Sequence, residues 1–133
     1  KVVQAMLYLP QLNILDVETG QVVGFRMKGA PDFSIFEDEK DVYNIYYIGV
    51  QADDNYIYAL YWGKESWGRF DVPYVNTIHV FDWNGNFVQA IEVDRGLDAI
   101  WIDPTRNRLY VTSPKVDDVF YLDLDGILGE VVQ

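Results

Sequence analysis

Cysteine is absent from this 133-residue sequence, and histidine occurs once. Without thiols the chain can form no disulfide scaffold, no thiolate zinc site and no cysteine nucleophile, though either redox environment tolerates it. One histidine is too few for a histidine-based metal centre, and no serine–histidine–aspartate spacing surrounds His79. Cations are also scarce. Ten Lys and Arg face 21 Asp and Glu, a formal net charge of −11, and that excess repels phosphates and argues against nucleic acid or anionic lipid as a partner. Long apolar runs are missing as well, and a bilayer span needs ~20 such residues, so no transmembrane segment is expected. The segment from Lys1 into Val2-Val3-Gln4-Ala5-Met6-Leu7-Tyr8-Leu9 has neither a charged leader nor a small-residue cleavage site. It reads as the start of a soluble chain, already processed or cut from something longer.

What is present is apolar and aromatic: half of the residues are hydrophobic and 16% carry aromatic rings. That is ample for a folded core and well above a disordered acidic tail. The length suits one domain. Little recurs at helical spacing, while alternating and β-branched or aromatic runs recur between turn signals, so the chain reads as all-β.

Two hairpin types alternate. The first is Leu12–Val17, Glu18-Thr19-Gly20, Gln21–Met27; it returns as Thr77–Trp83, Asn84-Gly85-Asn86, Phe87–Val93, and more weakly as Asp118–Leu124, Asp125-Gly126, with a continuation towards Val131. Each has a Gly that supplies the positive φ of a short loop. The second type is Tyr46–Ala52, Asp53-Asp54-Asn55, Tyr56–Gly63, and then Ala99–Ile102, Asp103–Asn107, Arg108–Ser113. Asp16, Asp82 and Asp123 close equivalent strands and lie 66 and then 41 residues apart; the shorter spacing is close to the ~40–50 residues of a four-stranded propeller blade. The longer one contains two insertions, around Lys28–Val42 and Lys64–Asn76, that read as loops. About eleven strands follow, as a partial blade over 1–42 and blades over 43–96 and 97–133.

The runs Asn55–Tyr61, Ile78–Asn86 and Leu97–Pro104 with Asn107–Val111 resemble the TolB-like six-bladed β-propellers common in Bacteroides-type bacteria. NHL and YWTD blades are similar at greater distance. The resemblance implies propeller blades in an incomplete ring, either a fragment or a half-propeller closed by homo-oligomerisation; a β-sandwich is the alternative. It also implies an exported protein, often a lipoprotein, in the periplasm or at the cell surface, and it implies no particular activity.

The most unusual stretch is Tyr61–Tyr74, where Trp62, Trp67, Arg69 and Tyr74 stand among Gly, Lys and Glu. Flat rings beside charged groups suit a glycan or peptide, although the commoner use of such aromatics is burial, with Trp62 and Tyr74 packed under the loop and against the next blade. Asp98 precedes a strand that would line a propeller channel, in a position equivalent to Asn44 or Tyr46, and completes the candidate ligand-binding set. Alternation puts His79 on the opposite strand face from Ile78 and Val80, the place of a structural or surface histidine rather than a catalytic one. Asp123-Leu124-Asp125-Gly126 fails as an EF-hand, because the first and twelfth positions would be Tyr121 and Val132. The acidic runs Glu37–Asp41 and Asp53-Asp54 read as solvated loops. No catalytic residue, metal site or cofactor is expected. The expected function is a non-catalytic domain that binds a glycan, peptide or protein through blade-top loops. The alternative is a metal-assisted hydrolase or lactonase with channel carboxylates such as Asp98 around the ion.

Overall fold

Alternation along the strands decides the layering of this molecule. The computed structural model describes residues 1–37, 44–65, 75–113 and 116–129. These form β1 (Val2–Ala5), β2 (Gln11–Leu15), β3 (Val22–Arg26), β4 (Asn44–Ala52), β5 (Tyr56–Glu65), β6 (Thr77–Asp82), β7 (Phe87–Glu92), β8 (Ala99–Asp103), β9 (Arg108–Ser113), β10 (Val116–Asp123) and a short helix α1 (Leu124–Leu128). All pairings are antiparallel between chain neighbours. The result is three meanders: sheet A (β1-β2-β3), sheet B (β4-β5-β6-β7) and sheet C (β8-β9-β10). None of them closes on itself, and the arrangement is that of a partial β-propeller.

Sheet B is the middle layer. Tyr58 and Leu60 of β5, with Ile78 and Val80 of β6, point to one side and bury against Ile100, Ile102, Leu109 and Val111 of sheet C. One residue out of phase, Ile57 points to the other side and buries with Leu12 and Ile14 of sheet A. A strand buried on both faces must carry apolar residues at successive positions, and Ile57-Tyr58-Ala59-Leu60 does so with all four essentially inaccessible. Each large aliphatic side chain buried in this way contributes about 1.5–3 kcal/mol. Between sheets, β4 approaches β1 on one side and β8 on the other. The backbone N–H of Tyr46 also donates to Leu7 O at 2.7 Å, tying sheet B to the β1–β2 loop.

The first two Gly-closed hairpin turns form as the sequence predicts, with Gly20 and Gly85 at φ +76° and +83°. A common device starts them. Asp16, Asp53, Asp82 and Asp103 each accept a hydrogen bond from the backbone N–H two residues on, the Asx geometry that lets a carboxylate stand in for a turn carbonyl.

Three expectations are corrected. The Asp125-Gly126 hairpin is instead α1, because the Asp123 carboxylate accepts from the Asp125 N–H and so caps a helix. Among the described residues sheet C therefore has three strands rather than four, and the chain ten rather than eleven; the continuation at Val131 lies outside the described residues. Within the first insertion, Phe33–Phe36 forms a 3-10 turn whose start is capped by Asp32. Within the second, Lys64 and Glu65 extend β5 rather than opening a loop.

Candidate functional site

Hydrogen bonds and register place the two described candidate residues, Trp62 and Asp98, at one end of the stack. Tyr61 pairs with Thr77 across β5 and β6, and Val75, two residues earlier, accepts from the Leu97 N–H at 2.6 Å. That bond carries Asp98 to the same end as Trp62. Asn44 starts β4 there too, opposite Glu65. The turns headed by Asp53, Asp82 and Asp103 lie at the opposite end, where the Trp83 indole N–H donates to Asp53 O at 2.8 Å.

Trp62 is half-buried and packs against the core between sheets B and C, while the Lys64 ammonium stands 5.1 Å from its ring centre. A cation over an indole face is worth about 0.5–1 kcal/mol at an exposed site. Asp98 is exposed and anchored twice to β9: its backbone N–H donates to Thr112 O at 3.0 Å, and its carboxylate accepts from the Thr112 hydroxyl. The other oxygen of that carboxylate carries no hydrogen bond among the described residues. Asn44 is exposed and Tyr46 half-buried. Trp67, Arg69 and Tyr74 lie outside the described residues. No group of three or more His, Asp or Glu among the described residues is spaced to hold a metal ion.

Between sheets A and B sits a second feature, which sequence reasoning missed. His79 is 8% exposed. Its ring stacks on Tyr61 with centres 4.0 Å apart, meets Phe87 edge-on at 5.3 Å, and shares a hydrogen bond of 3.1 Å between Nδ1 and the Tyr47 hydroxyl. Burial lowers the imidazole pKa to about 4, so the ring is neutral at physiological pH. Burial, reinforced by the neighbouring Tyr61, likewise pushes the Tyr47 hydroxyl well above its ordinary range. Phe81 and Phe87 continue this aromatic face, with ring centres 5.7 Å apart.

Beside that face a groove of about 270 Å³ opens between the two sheets. Phe25, Arg26 and Lys28 line it from the sheet A side, and Tyr47, Phe81 and Phe87 line it from sheet B. The signal available in the sequence was the alternation of Tyr61 with Ala59 and of His79 with Phe81, which puts four rings or small groups on one face. The pairing that joins them to Tyr47 spans 32 residues and leaves no local trace.

No curated protein and no solved structure matches the chain. A family model does match, over residues 1–105. Those residues take in sheets A and B whole and the first strand of sheet C. The chain belongs to the TolB-like 6-blade propeller-like family.

Proposed function

We propose that the chain serves as a non-catalytic binding domain of an exported, periplasmic or cell-surface propeller, and that it engages a glycan, peptide or protein at the end of the stack that carries Trp62 and Asp98. The observation that carries this reading is the bond chain from Tyr61 through Val75 to Leu97, which brings an indole, an ammonium and a carboxylate with a spare oxygen to one end. Aromatic and charged groups at convergent strand ends favour recognition of hydroxyls or peptide termini. The insertion that carries Trp67, Arg69 and Tyr74 leaves from that same end, directly after Glu65, and joins the reading on that ground. Association of copies to complete a ring is part of the same proposal.

Glycan and peptide arrays probed with the wild type, Asp98→Ala and Trp62→Ala test it. We expect at least one ligand class to bind the wild type and to lose about tenfold or more, roughly 1.4 kcal/mol, in both variants. Equal binding by all three proteins would move the site elsewhere. Tight, stoichiometric uptake of a divalent ion coupled to hydrolysis would replace the reading with a metal-assisted hydrolase or lactonase.

A further inference from the structure

The groove between sheets A and B has a composition at odds with the rest of the chain. Acidic residues outnumber basic ones 21 to 10 in the sequence, yet among the described residues no carboxylate lines this groove, whereas Lys28 does. Its other walls include the rings of Phe25, Tyr47, Phe81 and Phe87. Arg26 borders the groove as well, but it pairs with Gln11 while Phe25 pairs with Leu12, so its guanidinium lies on the other face of sheet A. Arg26 is held by a 2.8 Å hydrogen bond from its Nε to the Gln11 side-chain oxygen and stands 5.1 Å from the Phe33 ring centre. Among the described residues no hydrogen bond or ion pair engages Lys28, so its ammonium is available to a ligand.

We infer that this groove is a binding site for a small aryl carboxylate, with the ring between Phe25, Phe81 and Phe87 and the carboxylate at Lys28. Size limits the ligand. At about 270 Å³ the groove falls just below the ~300–1,000 Å³ of sites for drug-sized molecules, which suits one aromatic ring and a short acidic chain. The ring gains edge-to-face contacts and apolar burial. The carboxylate gains a charge-assisted partner in Lys28, with no like charge among the described lining residues to oppose it. Both walls belong to sheets of this chain, so the site does not depend on whatever packs against sheet A or sheet C from outside. It lies between sheets A and B, whereas Trp62 packs against the core between sheets B and C.

The same chemistry has two sources: a free arylalkanoic acid, or the aromatic C-terminal residue of a peptide. Calorimetric titration with 3-phenylpropionate and with N-acetylphenylalanine represents the two, and 3-phenylpropanamide supplies a neutral control. We expect one or both acids to bind, the tighter one identifying the source, and the amide to bind more weakly. Lys28→Glu, an exposed change that leaves the core intact, should weaken the acids by at least about fivefold and leave the amide unchanged. Phe87→Ser should weaken all three. Absence of binding by both acids overturns the proposal, as does equal affinity for acid and amide or an unchanged affinity in Lys28→Glu.

Discussion

His79 shows how much one side chain's surroundings decide. Two tyrosines and two phenylalanines enclose it, and burial holds its pKa at about 4, whereas an unfolded histidine titrates at about 6.5. The unfolded chain therefore takes up a proton that the folded chain refuses. The histidine's contribution to stability is complete above about pH 6.5 and is lost progressively as the pH falls towards 4. Over the whole window the loss is on the order of 3 kcal/mol. The turn carboxylates do not obscure this. Asp82 is partly desolvated, but bonds from Asn86 and Asn84 outweigh that and hold it below its usual value; Asp103, bonded first of all by Arg106, is also held below it. Both give up their stabilisation only under more acidic conditions. Denaturant unfolding at pH 7 and pH 5 should thus show a clear loss in the wild type and a much smaller one in His79→Phe, which keeps a ring in the stack. An imidazole midpoint near 6.5 by NMR would sink this account.

At the scale of elements, the turns separate local strain from contact between sheets. Gly20 and Gly85 both take left-handed φ values, yet a Cβ on Gly20 would meet nothing, whereas one on Gly85 would overlap the Phe25 ring of sheet A. Gly20→Ala should cost about 1–2 kcal/mol from backbone strain alone. Gly85→Ala should cost about 2–5 kcal/mol, since displacement of Phe25 adds to the same strain. Thermal unfolding of the pair measures the difference, and equal losses would show that the Gly85–Phe25 approach does not matter to stability. Both glycines were legible in the sequence, because a Gly closing a short polar run between alternating strands has few other uses. Asp125-Gly126 was misread for a physical reason: an Asp that accepts the N–H two residues ahead starts a hairpin turn and caps a helix by the same bond, and only the residues that follow distinguish them. Turns depend on neighbours in the chain, so the sequence shows them. The groove depends on Phe25 meeting Phe81 and Phe87 across two sheets, and Trp62 on which core lies beneath it; neither partner is nearby in sequence.

The whole molecule is a stack in which the middle sheet has neighbours on both faces and the outer two have one each. The outer faces differ in kind. Sheet A presents a polar row in which Arg26 donates to Gln11, Gln11 to Asn13 and Asn13 to Gln4, whereas sheet C presents Trp101, Tyr110 and Tyr121 on paired positions, with Trp101 67% exposed. Stability in a stacked array is a sum of sheet and interface contributions, so it should peak where two interfaces meet. Every amide in the centre of β5 and β6 is sandwiched between both cores, and its release requires both interfaces to open. Amides of β2 and β9 need only one interface to open, and those of the edge strands β3 and β10 can fray alone. Native-state hydrogen exchange should therefore be slowest at Ile57–Leu60 and Ile78–Val80, intermediate in β2 and β9, and fastest in β3 and β10. If β9 exchanged more slowly than β5, sheet C and α1 would form the stable unit by themselves, and the two-sided burial of sheet B would not be what holds the fold together.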